Sequence, residues 1–75
     1  LTASGFKSKG VQYVDLSWSN QSLAVDVYRD DQAIIENISG GQYADGPLGK
    51  GGATYRYHIC ETGGTTCSTD VLVTF

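Results

Sequence analysis

The sequence predicts an all-β fold, an antiparallel β-sandwich of two sheets and about seven short strands. Apolar and polar residues alternate in short runs, which is the periodicity of a strand that buries one face. Turn-forming residues separate these runs at short intervals, and no run shows the apolar stripe of a helix. The 75 residues suffice for one domain, so we assign residues 1–75 to a single domain.

The predicted strands follow one another along the whole chain and cover residues 1–7, 11–18, 23–29, 33–38, 42–45, 54–60 and 71–75. The first strand is only weakly patterned. On the second strand, Val14, Leu16 and Trp18 share one face. An exposed tryptophan would stack on a sugar, but this shared face places Trp18 in the core instead.

A turn over residues 19–22 leads into the third strand, whose side chains alternate between two faces. Its predicted orientations are Leu23, Val25 and Val27 toward the core, and Asp26 and Tyr28 away from it. Asp30 and Asp31 then form a tight turn into the fourth strand. The fifth strand is at most a short edge strand. Pro47, which cannot donate to a sheet, lies in the connection after it.

The last third of the chain, residues 53–75, is predicted to be a β-hairpin that contains the only two cysteines. Glycines at residues 63 and 64 suit the reversal between its strands. We expect a disulfide between Cys60 and Cys67, because a small exported domain gains stability from such a cross-link. In the chain-entropy model, closing a ring of about eight residues stabilises the folded state by about 2.5 kcal/mol.

Other roles for the two cysteines are less well supported by their surroundings. A zinc site needs four ligands at short spacing, and only His58 is available to join the thiols. A redox pair would show the Cys-x-x-Cys spacing at the start of a helix, which is absent here. Two reduced thiols in a cytosolic protein remain the alternative to the disulfide.

The charge of the chain argues against two classes of partner. Five basic residues are spread thinly and the net charge is −3, so no basic stripe exists to bind nucleic acid. No apolar run approaches the length needed to span a bilayer. We therefore expect a monomer that binds neither nucleic acid nor membrane. The chain begins at Leu1 without a targeting segment, so we expect it to be a piece of a longer precursor.

Four residues form a candidate contact surface on the outward side of the predicted sheet. Arg56 and His58 share the outward parity of one strand, and Asp26 and Tyr28 share it on a neighbouring strand. Such a polar and aromatic patch suits a protein, a glycan or a mineral-like surface. The alternative is an ordinary solvated sheet face. No serine motif accompanies His58, so we predict no catalytic residue.

Three aspartates near predicted loops raise the question of a metal site. Asp30, Asp31 and Asp45 offer oxygen atoms, but calcium requires six or more of them in a defined cage. The spacing of an EF-hand is absent. Turn formation explains these residues more simply, so we predict no metal and no cofactor.

Several short motifs follow one another along the chain, namely Val14-x-Leu16-x-Trp18-Ser19, Val25-x-Val27-Tyr28-Arg29-Asp30, Tyr43-x-Asp45, Thr54-Tyr55-x-Tyr57-x-Ile59-Cys60 and Cys67-Ser68 with Val71-x-Val73-x-Phe75. Their order and spacing resemble the fibronectin type III domain, in the compact variety appended to secreted bacterial hydrolases. Residues 8–19 are also similar to C-terminal extensions of subtilisin-type serine proteases. The chain is short for the family, and a disulfide in this hairpin is not a general family trait.

The resemblance implies a fibronectin type III or immunoglobulin-like sandwich, with Tyr55 or Tyr57 at its corner. It also implies an extracellular, non-catalytic accessory domain of a secreted bacterial hydrolase, specifically a serine protease. Such a domain would act as a spacer, a stabilising element or an anchor on an insoluble or protein substrate, or contact the parent catalytic domain. The alternative is a structural or adhesive module in a tandem-domain cell-surface protein.

Overall fold

The computed structural model describes residues 1–19 and 23–75, and those ranges contain seven strands and no helix. The strands are β1 (Thr2–Ser8), β2 (Val11–Ser17), β3 (Val25–Arg29), β4 (Gln32–Ile38), β5 (Gln42–Asp45), β6 (Thr54–Glu61) and β7 (Val71–Thr74). The predicted all-β fold is therefore confirmed. In the same ranges no helix is long and apolar enough to cross a membrane. The turn predicted over residues 19–22 falls mostly on residues 20–22, outside the described residues.

The strands form two antiparallel sheets, as the sequence predicts. The smaller sheet has the order β1-β2-β5, and the larger sheet has the order β4-β3-β6-β7. Two-residue turns connect β1 to β2 and β3 to β4. Both residues of each turn have positive φ, 53° and 80° at Lys9 and Gly10, and 51° and 68° at Asp30 and Asp31. This conformation matches the twist of the flanking strands, which confirms the tight turn predicted at the two aspartates.

The inner faces of the two sheets meet in one apolar core. Its buried side chains are Val14, Leu16, Trp18, Val25, Val27, Tyr57, Ile59 and Val73. Trp18 is 7% exposed, so its predicted core position is confirmed. The inward orientation predicted for Leu23 is wrong, because this residue is 43% exposed. The ladder between β3 and β6 ends at Val25 and Glu61, which leaves no partner strand beside Leu23.

The final hairpin forms with the predicted disulfide. Cys60 and Cys67 are bonded and face each other across an isolated bridge, and the chain reverses between them. The hairpin is less regular than predicted, because β7 begins only at Val71. The backbone N–H of Ser68 still donates to the carbonyl of Ile59 at 2.8 Å, so the two arms remain paired close to the disulfide.

Candidate contact surface

The outer face of the larger sheet brings the predicted contact residues together. Tyr28 on β3 lies directly opposite His58 on β6, and their rings stack with centroids 4.7 Å apart and planes at 5°. Asp26 lies opposite Cys60, and Arg56 is two residues before His58 on the same strand. The outward parity read from the sequence is therefore correct for all four residues.

Arg56 is held by carboxylates that approach it from two loops. Its guanidinium forms an ion pair with Asp31, and its Nε lies 3.7 Å from Oδ2 of Asp70. Its backbone N–H donates to Oδ1 of Asp30 at 3.0 Å. The turn after β3 and the segment before β7 are thus joined through one side chain on β6. Because the ion pairs are largely solvent-exposed, each contributes at most about 1 kcal/mol to stability.

His58 faces the same carboxylate from the other side. Its Nδ1 lies 3.5 Å from Oδ1 of Asp70, and its side chain is 17% exposed. Both Nδ1 of His58 and Nε of Arg56 are buried and lack an aligned hydrogen-bond partner among the described residues. Asp70 therefore lies between two nitrogen atoms at ion-pair distance without a hydrogen bond of good geometry to either.

Asp26 belongs to the contact surface and also forms hydrogen bonds that stabilise the sheet. Its Oδ1 accepts a 2.7 Å hydrogen bond from the hydroxyl of Thr62 and a 3.0 Å bond from the backbone N–H of Asn37. These two bonds lower the pKa of the Asp26 carboxyl, the Thr62 bond contributing more. Asn37 has a positive φ of 56° where the β3–β4 register is irregular, so Asp26 supports that bulge.

A fifth member of this surface was missed from the sequence. Leu72 lies opposite Arg56 on β7 and is 66% exposed. Its parity between the inward residues Val71 and Val73 would have identified it. We call the group of Tyr28, His58, Arg56 and Leu72, with Asp31 and Asp70 at its rim, the outer sheet face.

A second polar cluster, which was not predicted from the sequence, lies in the interior. Asp45, the last residue of β5, is buried and accepts 2.6 Å hydrogen bonds from Arg29 and from the hydroxyl of Tyr57. Burial, and then the hydrogen bond to Asp45, raise the pKa of Tyr57. Burial acts to lower the pKa of Arg29, but its bond and charge interaction with Asp45 outweigh burial and raise it. This cluster joins the two sheets.

The end of the sandwich near the β1–β2 turn is organised around Gln12, whose side chain is fully buried. Gln12 lies on the inward parity with Val14, the signal that would have revealed it. Its Oε1 accepts a 2.8 Å bond from the hydroxyl of Tyr55, which itself accepts a 3.5 Å bond from the backbone N–H of Gly49. Of the two predicted corner tyrosines, Tyr55 therefore bonds backbone, whereas Tyr57 bonds Asp45 in the core.

The three aspartates considered for calcium engage different partners. Asp30 and Asp31 bind Arg56, and Asp45 binds Arg29 and Tyr57. Within residues 1–19 and 23–75, no group of three His, Cys, Asp or Glu side chains is placed to hold a metal ion. Asp45 ends the predicted fifth strand, as expected, but its carboxylate binds partners in the core and does not form a turn.

Comparisons with protein-family models, with curated proteins and with solved structures found no match to this chain.

Proposed function

We propose that the chain is a fibronectin type III-like accessory domain of a secreted bacterial hydrolase, a serine protease. It acts there as a spacer, a stabilising element or an anchor on substrate, and carries no catalysis itself. The pairing of β4 with β3 supports the family. In the constant-type immunoglobulin arrangement, by contrast, the fourth strand joins the sheet of the first two. The hydroxyl of Tyr55, bonded to backbone six residues upstream, is a further feature of such sandwiches.

The disulfide supports the proposed compartment. Cys60 and Cys67 are bonded in a hairpin whose loop is exposed to solvent. Disulfides persist in oxidising spaces and are rare where glutathione keeps thiols reduced. An extracellular location is therefore the proposal that fits this bond.

The observation that carries the spacer role is the separation between the start of β1 and Phe75. The start of β1 pairs with the end of β2, where Thr2 lies opposite Ser17. Phe75 exchanges backbone hydrogen bonds with Ala53, and its ring lies against Gly5 near the middle of β1. A chain that passes through the domain from Thr2 to Phe75 is therefore displaced along β1 by about 10 Å, the rise of about three residues.

The parent protein is the decisive test of this proposal. We would raise antibodies against the purified chain and probe culture fluid of the source organism beside a gelatin zymogram. We expect one band much larger than 8.0 kDa that coincides with gelatin-degrading activity and is silenced by a serine-directed inhibitor. A series of cell-bound bands from tandem domains, without that activity, would support the adhesive module instead, because displaced chain ends also suit a head-to-tail array.

A separate experiment tests whether the domain anchors its parent protein on an insoluble substrate. The purified chain would be incubated with insoluble collagen, chitin, cellulose and bacterial cells, and the retained fraction measured. Saturable retention on one material would support anchoring. Absence of retention on all of them would leave spacing or stabilisation as the role of the domain.

A further inference from the structure

We propose that the outer sheet face is a docking surface for a basic protein, one that presents lysine or arginine side chains around an apolar residue. This inference goes beyond the proposed function, because it holds whichever parent protein carries the domain. Three properties of the face support it: the concentration of negative charge, the accessibility of the rim carboxylates, and the side chains at its centre.

The negative charge of the chain is concentrated at this face. Four carboxylates lie on the face or at its edge, namely Asp26, Asp30, Asp31 and Asp70, and the only Lys or Arg among them is Arg56. The other four carboxylates of the chain are equal in number to its other four lysines and arginines. The four aspartates and Arg56 therefore leave an excess of three negative charges among these five residues. A partner of opposite charge is steered to this face.

The rim carboxylates remain accessible to a partner. The side chains of Asp31 and Asp70 are 72% and 52% exposed, although both are near the guanidinium of Arg56. Exposed ion pairs of this kind are weak, so an incoming ammonium group can share these carboxylates at little cost. The turn that carries Asp31 is held by two hydrogen bonds between Asp30 and the backbone of Arg56. This part of the acidic rim is thus ordered before binding, which limits the entropy lost on docking.

The centre of the face supplies the apolar and aromatic contacts. Leu72 on β7 is exposed beside Arg56 of β6. Next to them, the stacked rings of His58 on β6 and Tyr28 on β3 continue the face. Interfaces characteristically combine such a centre with a polar rim, and tyrosine and arginine are enriched among the residues that dominate binding. The opposite face also carries an aromatic pair, the exposed Phe6 stacked on Tyr13, but Asp15 is the single carboxylate at the outward positions of its described strands. We therefore assign docking to the larger sheet.

The test uses the complete, isotopically labelled chain and a defined probe. The probe is an acetylated, amidated peptide of six lysines around a central leucine, and the control peptide has glutamates in place of the lysines. Binding is followed by amide chemical shifts at low and high salt. We expect saturable shifts at Tyr28, Arg56, His58 and Leu72, no binding of the glutamate peptide, and weakening at high salt, where screening acts within about a Debye length.

Variants separate this surface from general acidity. The double variant Asp31→Asn/Asp70→Asn should weaken binding of the lysine peptide by roughly five- to tenfold, because two rim charges are removed. Leu72→Ser, which leaves every charge in place, should weaken it by roughly threefold. The control Asp15→Asn removes an exposed charge from the other face and should change affinity less than about twofold.

Three results would overturn the proposal. They are shifts spread over both faces, an Asp15→Asn effect as large as that of the double variant, and unsaturable binding at low salt. Each variant is checked by its amide spectrum, so that loss of fold is not mistaken for loss of binding. The docking surface and the accessory role fail independently, since the parent protein is identified by the zymogram and not by this titration.

Discussion

The hydroxyl of Tyr57 donates a 2.6 Å hydrogen bond to Oδ2 of Asp45 inside the sandwich, and Arg29 donates to the same oxygen. Tyr57 belongs to the larger sheet and Asp45 to the smaller one. The bond therefore ties the two layers together across a core that is mostly apolar. A hydrogen bond to a buried carboxylate is stronger than one between neutral groups, so this contact should contribute measurably to stability.

Removing either partner should destabilise the fold, and the two effects should be coupled. We expect Tyr57→Phe to lower the free energy of unfolding by about 2 kcal/mol, because it removes one bond to the carboxylate. Asp45→Asn should cost about 3 kcal/mol, because Arg29 then lacks a charged partner. Urea unfolding followed by the fluorescence of Trp18 measures both. Strictly additive effects in the double variant would contradict a direct bond, and Asp15→Asn, at an exposed site, should change stability by less than about 0.5 kcal/mol.

The free energy of unfolding should decline at alkaline pH because unfolding there releases the proton of Tyr57. Burial and the bond to Asp45 raise the pKa of Tyr57 above its ordinary value of 10.0, so the folded chain keeps a proton that the unfolded chain releases. This contribution is complete below pH 10.0 and is lost as the pH rises beyond it. Near pH 11 the absorbance of ionised tyrosine should be smaller in the folded chain than in urea, and Tyr57→Phe should reduce that difference. Equal amplitudes, or an unchanged amplitude difference in Tyr57→Phe, would contradict the assignment.

Alternation of side chains predicted most of the fold, because β2, β3 and β6 each bury one clear face. Parity correctly placed Trp18 inside, and Tyr28 and His58 outside on adjacent strands. It could not predict that Asp45 is buried, since a single carboxylate enters a core only when distant partners such as Arg29 and Tyr57 are supplied by other strands. Gln12 was missed although it shares the inward parity of Val14, because glutamine is usually an exposed residue. Its buried amide is satisfied by Tyr55 and by the backbone of Gly51, 39 residues away.

The disulfide should supply a large part of the stability of so small a domain. Replacing Cys60 and Cys67 together by serine should lower the free energy of unfolding by about 2.5 kcal/mol, because the unfolded chain regains the entropy of an open loop. For a domain of this size that corresponds to a melting temperature lower by roughly 10 to 20 °C. Calorimetry of the variant and of the native chain, each with and without reductant, measures it. If reductant lowers the melting temperature of the serine variant as well, the effect does not come from this bond.

Close approach of a tyrosine ring makes Gly46 less replaceable than other glycines of positive φ. A Cβ at Gly46 would overlap the ring of Tyr13, whereas a Cβ at Gly51 would meet no atom within 4 Å. Both have positive φ, 147° and 84°, so each alanine variant carries a backbone penalty of about 1 kcal/mol. Gly46→Ala should lose about 1 to 3 kcal/mol more than Gly51→Ala because of the overlap. Urea unfolding measures the difference, and the extra loss should shrink in a Tyr13→Ser background. Equal losses at the two glycines would mean that the ring moves aside freely.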